Sequence, residues 1–278
     1  MLSTRDIKRK IRSVRSIEQI TQAMKTVSSI KLRKAEQRIR AARPYADRLT
    51  EMLGALAAGE AEHPFLVARP VARAGVVLIS ADKGLAGSFN ANVIRLAAEQ
   101  MRKLPQASAV TVGRRGTDAF RRMGMPVQGT LPLLGAEPRS ADVAPVADLV
   151  GSLFLSGQWD AVHLVYSSFR GGAKVEVVSR QILPVPRPEG RVGGEMIYEP
   201  SMQALLGLLM PRYLRTAIFT AVLDSVASEH ASRVTAMTLA SENAEEMINN
   251  LTLQYNKARQ ATITRELIDI VGAAEALV

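Results

Sequence analysis

The stretch Ala35-Glu-Gln-Arg-Ile39-Arg-Ala-Ala42-Arg-Pro-Tyr-Ala46-Asp-Arg-Leu49-Thr-Glu-Met-Leu53-Gly-Ala-Leu56 decides the fold. Its apolar residues step by four, three, four, three, four and three. That strict heptad is the seam of a helix that pairs with another in a left-handed supercoil. Upstream, Ile7, Ile11, Val14, Ile17, Ile20, Met24, Val27 and Ile30 step by three and four and are expected to continue the seam. Residues 4 to about 58 therefore read as one helix. Ser3-Thr4-Arg5-Asp6 offers a capping box at its start. No glycine precedes Gly54, and Pro44 is expected to kink the run.

The other end of the chain has the same character. A short helix over Met202–Met210 is expected to stop at Pro211, which suits the first position of a new helix. From there to about Ala276 the only helix breaker is Gly272. Ala240, Ala244, Met247, Leu251, Ala258, Ala261 and Ile268 fall on one heptad face, with Gln254 and Arg265 as polar interruptions.

The middle, about 73–190, alternates differently. Strands are predicted at 75–80, 109–113, 161–167 and 174–182, and helices at 90–104, 115–123 and 142–155. Such alternation suggests βαβ units and a mostly parallel sheet. A compact chain of 278 residues is roughly 50 Å across, given a radius of gyration of roughly 19 Å. Helices of the two terminal lengths would be about 80 and 100 Å long. Neither fits inside such a globule. The fold class is therefore α/β plus a long α-helical coiled coil: an antiparallel two-helix coiled coil from the N- and C-terminal segments, with an inserted Rossmann-like α/β domain. The expected division is 1–58 for the first helix, 59–200 for the α/β domain and 201–278 for the second helix.

Composition narrows the chemistry. Hydrophobic residues make up 47% and charged ones 22%, which argues against disorder. Cysteine is absent, so disulfides, thiolate ligands and a thiol nucleophile are excluded. No apolar run approaches 18 residues, and no membrane span is expected. The start lacks the apolar stretch of a signal peptide. Aromatics are only 4%, a poor supply for stacking single-stranded nucleic acid. His63, His163 and His230 show no ligand spacing, and there is no nucleophile elbow and no carboxylate dyad. No catalytic, cofactor or metal site is expected. Ser80-Ala-Asp-Lys-Gly-Leu-Ala-Gly-Ser-Phe-Asn90 follows a strand and opens a helix, where phosphates bind in α/β folds. It matches neither glycine-rich phosphate fingerprint, so Asp82, Lys83, Gly84, Gly87 and Asn90 read as a structural turn or protein-contact loop.

Charge is uneven. Residues 1–48 carry 14 Lys/Arg against 4 Asp/Glu, while the remainder is balanced. Arg5, Lys8, Arg9, Lys10, Arg12 and Arg15 crowd the first helical turns, where cations oppose the helix dipole. The bland reading is a solvated face. The sharper one is an anionic partner, either acidic protein segments or nucleic acid. A nucleic-acid-binding protein with a basic helical arm is thus an alternative function, and a small-ligand α/β enzyme with a helical dimerisation hairpin is a third.

Ile20-Thr-Gln-Ala-Met-Lys25, Lys31-Leu-Arg-Lys34 and Ala42-Arg-Pro-Tyr45 resemble the N-terminal helix of the γ subunits of F-type ATP synthases. Residues 80–90 resemble that family's S-x-D-[RK]-G-L-x-G-x-x-N loop. Leu239-Ala-Ser-Glu-Asn-Ala244 and Tyr255-Asn-Lys-Ala-Arg-Gln-Ala-Thr-Ile-Thr-Arg-Glu-Leu267 resemble its C-terminal helix. The likeness covers essentially the whole chain. It implies a rotating central stalk inside a ring of three α and three β subunits, driven through a membrane rotor ring by proton or sodium flow. Implied partners are the α, β and ε subunits and the rotor ring, with no nucleic acid. ATP, ADP and Mg would be bound by partner subunits, and this chain would hold no cofactor and no catalytic residue. The implied place is peripheral, at the cytoplasmic face of a bacterial plasma membrane.

The resemblance also implies roles for individual positions. Met24, Lys25, Met237, Arg259, Gln260 and Thr264 would contact β subunits. Tyr198 and Glu199 would belong to the foot facing the membrane ring or ε. Thr238 stands where many relatives carry Lys or Arg, and Ala86 where many carry Cys. The redox insert of plastid relatives is missing.

Overall fold

The computed structural model describes residues 4–57, 63–132, 137–172, 174–186, 199 and 201–275. Ser3 of the expected capping box, Tyr198 and the last three residues lie outside them. The elements are α1 (Thr4–Ala57), β1 (Ala74–Ile79), α2 (Phe89–Lys103), β2 (Ser108–Val112), α3 (Arg114–Arg122), β3 (Val127–Leu131), α4 (Ala144–Leu155), β4 (Ala161–Phe169), β5 (Val175–Leu183) and α5 (Met202–Glu275). Short 3-10 turns occupy Pro64–Leu66 and Ser140–Val143. The chain divides into two compact units, Ser28–Arg233 and Met1–Val27 with Val234–Val278.

Within Ser28–Arg233 the strands form one sheet in the order β3-β2-β1-β4-β5. β1 runs parallel to β2 and β4, β2 parallel to β3, and β5 antiparallel to β4. β1 is buried at every position, as expected of a central strand covered on both faces. One face carries Val76, Leu78 and Val165 against Val93, Ala97 and Met101 of α2 and Phe120 of α3. The other face joins a core built from Leu49, Leu53 and Leu56 of α1, Val150 and Phe154 of α4, and Leu206, Met210, Leu214, Ile218 and Val222 of α5. Burying each of these large side chains contributes about 1.5–3 kcal/mol.

Trp159 locks the start of β4. A Cβ on Gly75 would lie 2.3 Å from its ring, so glycine is required there. Its indole N–H donates to Ser108 Oγ at 2.8 Å. Next to it, Asp160 accepts the backbone N–H groups of Arg73 and Ala72 at 2.9 and 3.1 Å. The bond from Arg73 is the main cause that holds this carboxyl below the usual range.

In this unit α1 and α5 run antiparallel: Lys31 acts on His230, whereas Arg43, further along α1, acts on Asp224, earlier in α5. The heptad of 35–56 is present. Ala35, Ile39, Leu49, Leu53 and Leu56 are buried, and Ala42 and Ala46 half-buried.

Three expectations are corrected. The seam in residues 4–27 does not follow the apolar residues. Ile7 and Thr21 are buried and Ile11, Val14, Glu18 and Lys25 half-buried, while Ile17, Ile20 and Val27 are 51–59% exposed. Ser28 (4%) and Ala35 continue the same seven-residue spacing, and Ile30 is exposed. Buried hydroxyls replace apolar groups because they are paired: Thr21 Oγ1 bonds Ser241 Oγ at 2.7 Å and donates to the carbonyl of Glu18 at 2.9 Å. In 234–275 the inward positions are Met237, Ser241, Ala244, Ile248, Leu251, Tyr255 and Ala258, whereas Met247, Ala261 and Ile268 are exposed.

Second, α5 does not stop at Pro211 but runs unbroken from Met202 to Glu275. Pro211 is exposed, and the residue four before it is Gly207, which has open space where a Cβ would stand. α1 likewise continues through Pro44. Third, α5 holds a stretch apolar and long enough to cross a bilayer by composition. Its apolarity is that of a core helix, because Leu206, Met210, Leu214, Ile218, Val222 and Ala227 are packed in the core. β3 was not foreseen, and β5 is the strand that breaks the parallel order.

Candidate functional site

The loop 80–90 is tied from inside. Asn90 caps it twice, accepting from the N–H of Ala81 at 3.0 Å and donating to the carbonyl of Lys83 at 3.2 Å. Asp82 accepts the N–H of Arg114 at 2.8 Å, at the first turn of α3, where a carboxylate suits the helix dipole. Ser80 Oγ accepts the N–H of Gly116 at 2.9 Å. Gly87 has φ 55°, a left-handed conformation that suits glycine. Ala86 and Phe89 are buried beneath the loop with Ala81. The side chains of Ser80, Asp82 and Asn90 are thus engaged within the protein.

A charged cluster lies against this loop. Glu229 and Arg233, each with a side chain 9% exposed, form an ion pair at 2.5 Å one helical turn apart on α5. Arg233 also donates to the carbonyl of Gly84 at 3.2 Å and lies 3.2 Å from His230 Nδ1. Desolvation by burial, then the charges of Arg233 and Lys31, lower the His230 pKa to about 4. The imidazole is therefore neutral. It can accept from the guanidinium, whose charge is met by Glu229. Through Arg233, α5 is pinned to the loop. This cluster was not anticipated. Its signal is a Glu and an Arg at i, i+4 inside an otherwise apolar helical stretch.

The remaining positions do not converge. Met24 and Lys25 are half-buried on α1, and Met237 is buried at 5%. Arg259 and Gln260 are exposed, and Thr264 Oγ1 donates to the carbonyl of Gln260 at 2.9 Å. These last three lie past Ala258, from where every side chain described is exposed. Glu199 is exposed. Two apolar exposed sets stand out: Ile17, Ile20 and Val27 on α1, and Ile263, Leu267, Ile268, Ile270 and Val271 on α5. Contiguous exposed apolar surface marks a partner. Burial lowers the pKa of both His63 and His163. No group of three or more metal-ligating side chains occurs among the described residues.

Two long terminal helices with an α/β sheet inserted between them in the chain define the fold. The family model described as ATP synthase matches residues 3–277. An ATP synthase gamma chain of Moorella thermoacetica is 44% identical over 281 residues, covering all of both chains. One from Pelotomaculum thermopropionicum is 43% identical over 283 residues, again covering both completely. The fold matches a chain of the Euglena gracilis mitochondrial ATP synthase with TM-score 0.74 at 22% identity, covering 99% of this chain and 94% of that one. A chain of the Tetrahymena thermophila central stalk and ring matches with TM-score 0.63 at 23% identity, covering 80% of this chain and 99% of that one. The chain belongs to the ATP synthase gamma-chain family. The alternative of a nucleic-acid arm receives no support from these likenesses.

Proposed function

We propose that this chain is the rotating central-stalk subunit of a proton- or sodium-translocating ATP synthase, coupling ion flow through a membrane rotor ring to ATP synthesis or hydrolysis on β subunits. The observation that carries this reading is the change along α5 near Ala258. Below it the inward face is covered; beyond it every side chain described is exposed, including an apolar stripe of Ile263, Leu267, Ile268, Ile270 and Val271. A helix of that kind is stable only when gripped by something else, and a ring of α and β subunits supplies the grip. Small and apolar residues there make contacts that slide, whereas fixed salt bridges would resist rotation.

Met24, Lys25, Arg259, Gln260 and Thr264 are assigned to β-subunit contacts. Met237 is assigned to the same level, acting through the helix pairing that buries it. Tyr198 and Glu199 are assigned to the foot at the membrane ring or ε. The loop of Asp82, Lys83, Gly84, Gly87 and Asn90 braces the inserted domain on α5. The functional division is 1–58 and 201–278 as shaft and 59–200 as the domain that takes torque from the ring. The cations of residues 1–48 would face acidic β-subunit segments. Catalysis, ATP, ADP and Mg would reside on the partner subunits, with the complex at the cytoplasmic face of a bacterial membrane. Reconstitution with α and β subunits tests the reading. ATP hydrolysis that depends on this chain supports it; failure to assemble a hydrolysing complex overturns it.

A further inference from the structure

A groove of about 520 Å³ opens between α1, the 3-10 turn Ser140–Val143 and α5. Among the described residues its walls hold two arginines, Arg212 and Arg215, and no carboxylate. Among the described residues Arg215 has one ion pair, to Asp148 at 3.8 Å, and that carboxylate is 72% exposed, so the pair is screened and weak. The Nε of Arg215 is buried and has no hydrogen-bond partner among the described residues. The side chain of Arg215 as a whole is 43% exposed, so its outer nitrogens are what a ligand in the groove would meet. Ser140 and Tyr45 add hydroxyls to the wall, and the rings of Tyr45 and Phe219 complete it. A neighbouring cavity of about 490 Å³ holds three arginines, but Asp47 and Asp224 share it. Those carboxylates oppose an anion there.

We propose that the Arg212–Arg215 groove binds a phosphate oxyanion. Guanidiniums present forked donors that match phosphate geometry. The volume lies in the range of small-molecule sites and exceeds what a bare phosphate fills, and aromatic rings in the wall accept a flat heterocycle. Free phosphate and the diphosphate of a nucleotide share the recognised chemistry.

Equilibrium dialysis of the full chain alone, at low salt, with inorganic phosphate or with ADP, tests the site; leaving out the α and β subunits removes the nucleotide sites expected on them. Saturable binding of one ligand per chain is expected. Arg212→Gln, at an exposed position, should weaken phosphate and ADP alike by about tenfold. Tyr45→Ala should weaken ADP by about fivefold and leave phosphate unchanged. Tighter ADP binding assigns the nucleotide as the source of the phosphate group, and equal affinities assign free phosphate. Arg215→Gln is expected to act like Arg212→Gln; should it unfold the chain, Arg212→Gln alone decides. No saturable binding at millimolar ligand, or binding that Arg212→Gln leaves unchanged, overturns the proposal.

Discussion

Replacing Arg233 by Met removes the centre of the buried cluster without removing its bulk. The substitution leaves the Glu229 carboxylate, 9% exposed, without its partner at 2.5 Å. It also leaves the carbonyl of Gly84 without its donor. Breaking a buried pair from one side costs about 3–5 kcal/mol. A lost hydrogen bond adds about 1 kcal/mol, and part of it overlaps because the same side chain makes both. A loss of about 4 kcal/mol is expected, a drop of nearly a thousandfold in the folded-to-unfolded ratio. Urea unfolding of the full chain, followed by helix signal, reads it as a lower midpoint at unchanged slope. The double variant Glu229→Gln with Arg233→Met should recover at least half of the loss, since no buried charge is then stranded. A loss below about 1 kcal/mol for Arg233→Met, or a double variant no better than the single one, would refute the account of the cluster.

His230→Gln addresses the acid limb of stability. The folded pKa of about 4 lies below the usual imidazole value of about 6.5, so between those values the unfolded chain binds the proton and the folded chain does not. Stability from this group is complete above about pH 6.5 and falls as pH drops toward 4, by about 3 kcal/mol in all. The glutamine variant should show a flatter pH profile in that window; an unchanged slope would place the titration elsewhere. Burial raises the Asp224 pKa and acts in the opposite sense, its contribution being lost as pH rises above the ordinary carboxylate range. Gly75→Ala should cost about 1–3 kcal/mol by overpacking against Trp159, read by the thermal midpoint and by tryptophan fluorescence. Ile20→Asp, at a position 59% exposed, should change the stability of the chain alone by less than about 0.5 kcal/mol. It should nonetheless depress ATP hydrolysis on reconstitution with α and β subunits; normal hydrolysis would remove Ile20 from the interface.

The two long helices and the α/β middle were legible because length and period speak before any contact is known. A heptad of alanines and leucines over 35–56 has one interpretation. The seam of residues 4–27 was not legible for a physical reason. Hydropathy scores Thr21 as surface and Ile20 as core, yet a hydroxyl that finds Ser241 and the carbonyl of Glu18 is content inside. Ile17 and Ile20 are left exposed, and no pattern in the chain sets them apart from core isoleucines. β3 escaped because Val127-Gln-Gly-Thr-Leu131 is a short edge strand with a glycine at its centre. That Gly129 is needed: a Cβ there would stand 2.5 Å from Leu149. Pro211 was read as a stop because the sequence does not show that Leu206, Met210 and Leu214 pack into one core on both sides of it and carry the helix through. In the loop 80–90 the motif was legible, but its grip on α5 depends on Arg233, 149 residues from Gly84.

The hydroxyl seam also bears on how the molecule is made. Thr21 and Ser241 lie 220 residues apart in the chain. At a synthesis rate of about 5–20 residues per second, the first helix waits roughly ten to forty seconds for its mate to leave the ribosome. Isoleucine or leucine at Thr21 and Ser28 would lengthen the adhesive surface that Ile7, Ile11 and Val14 already offer for the whole interval. Threonine and serine keep that part of the seam wettable while it waits, and still let the late-arriving helix dock closely once it is there.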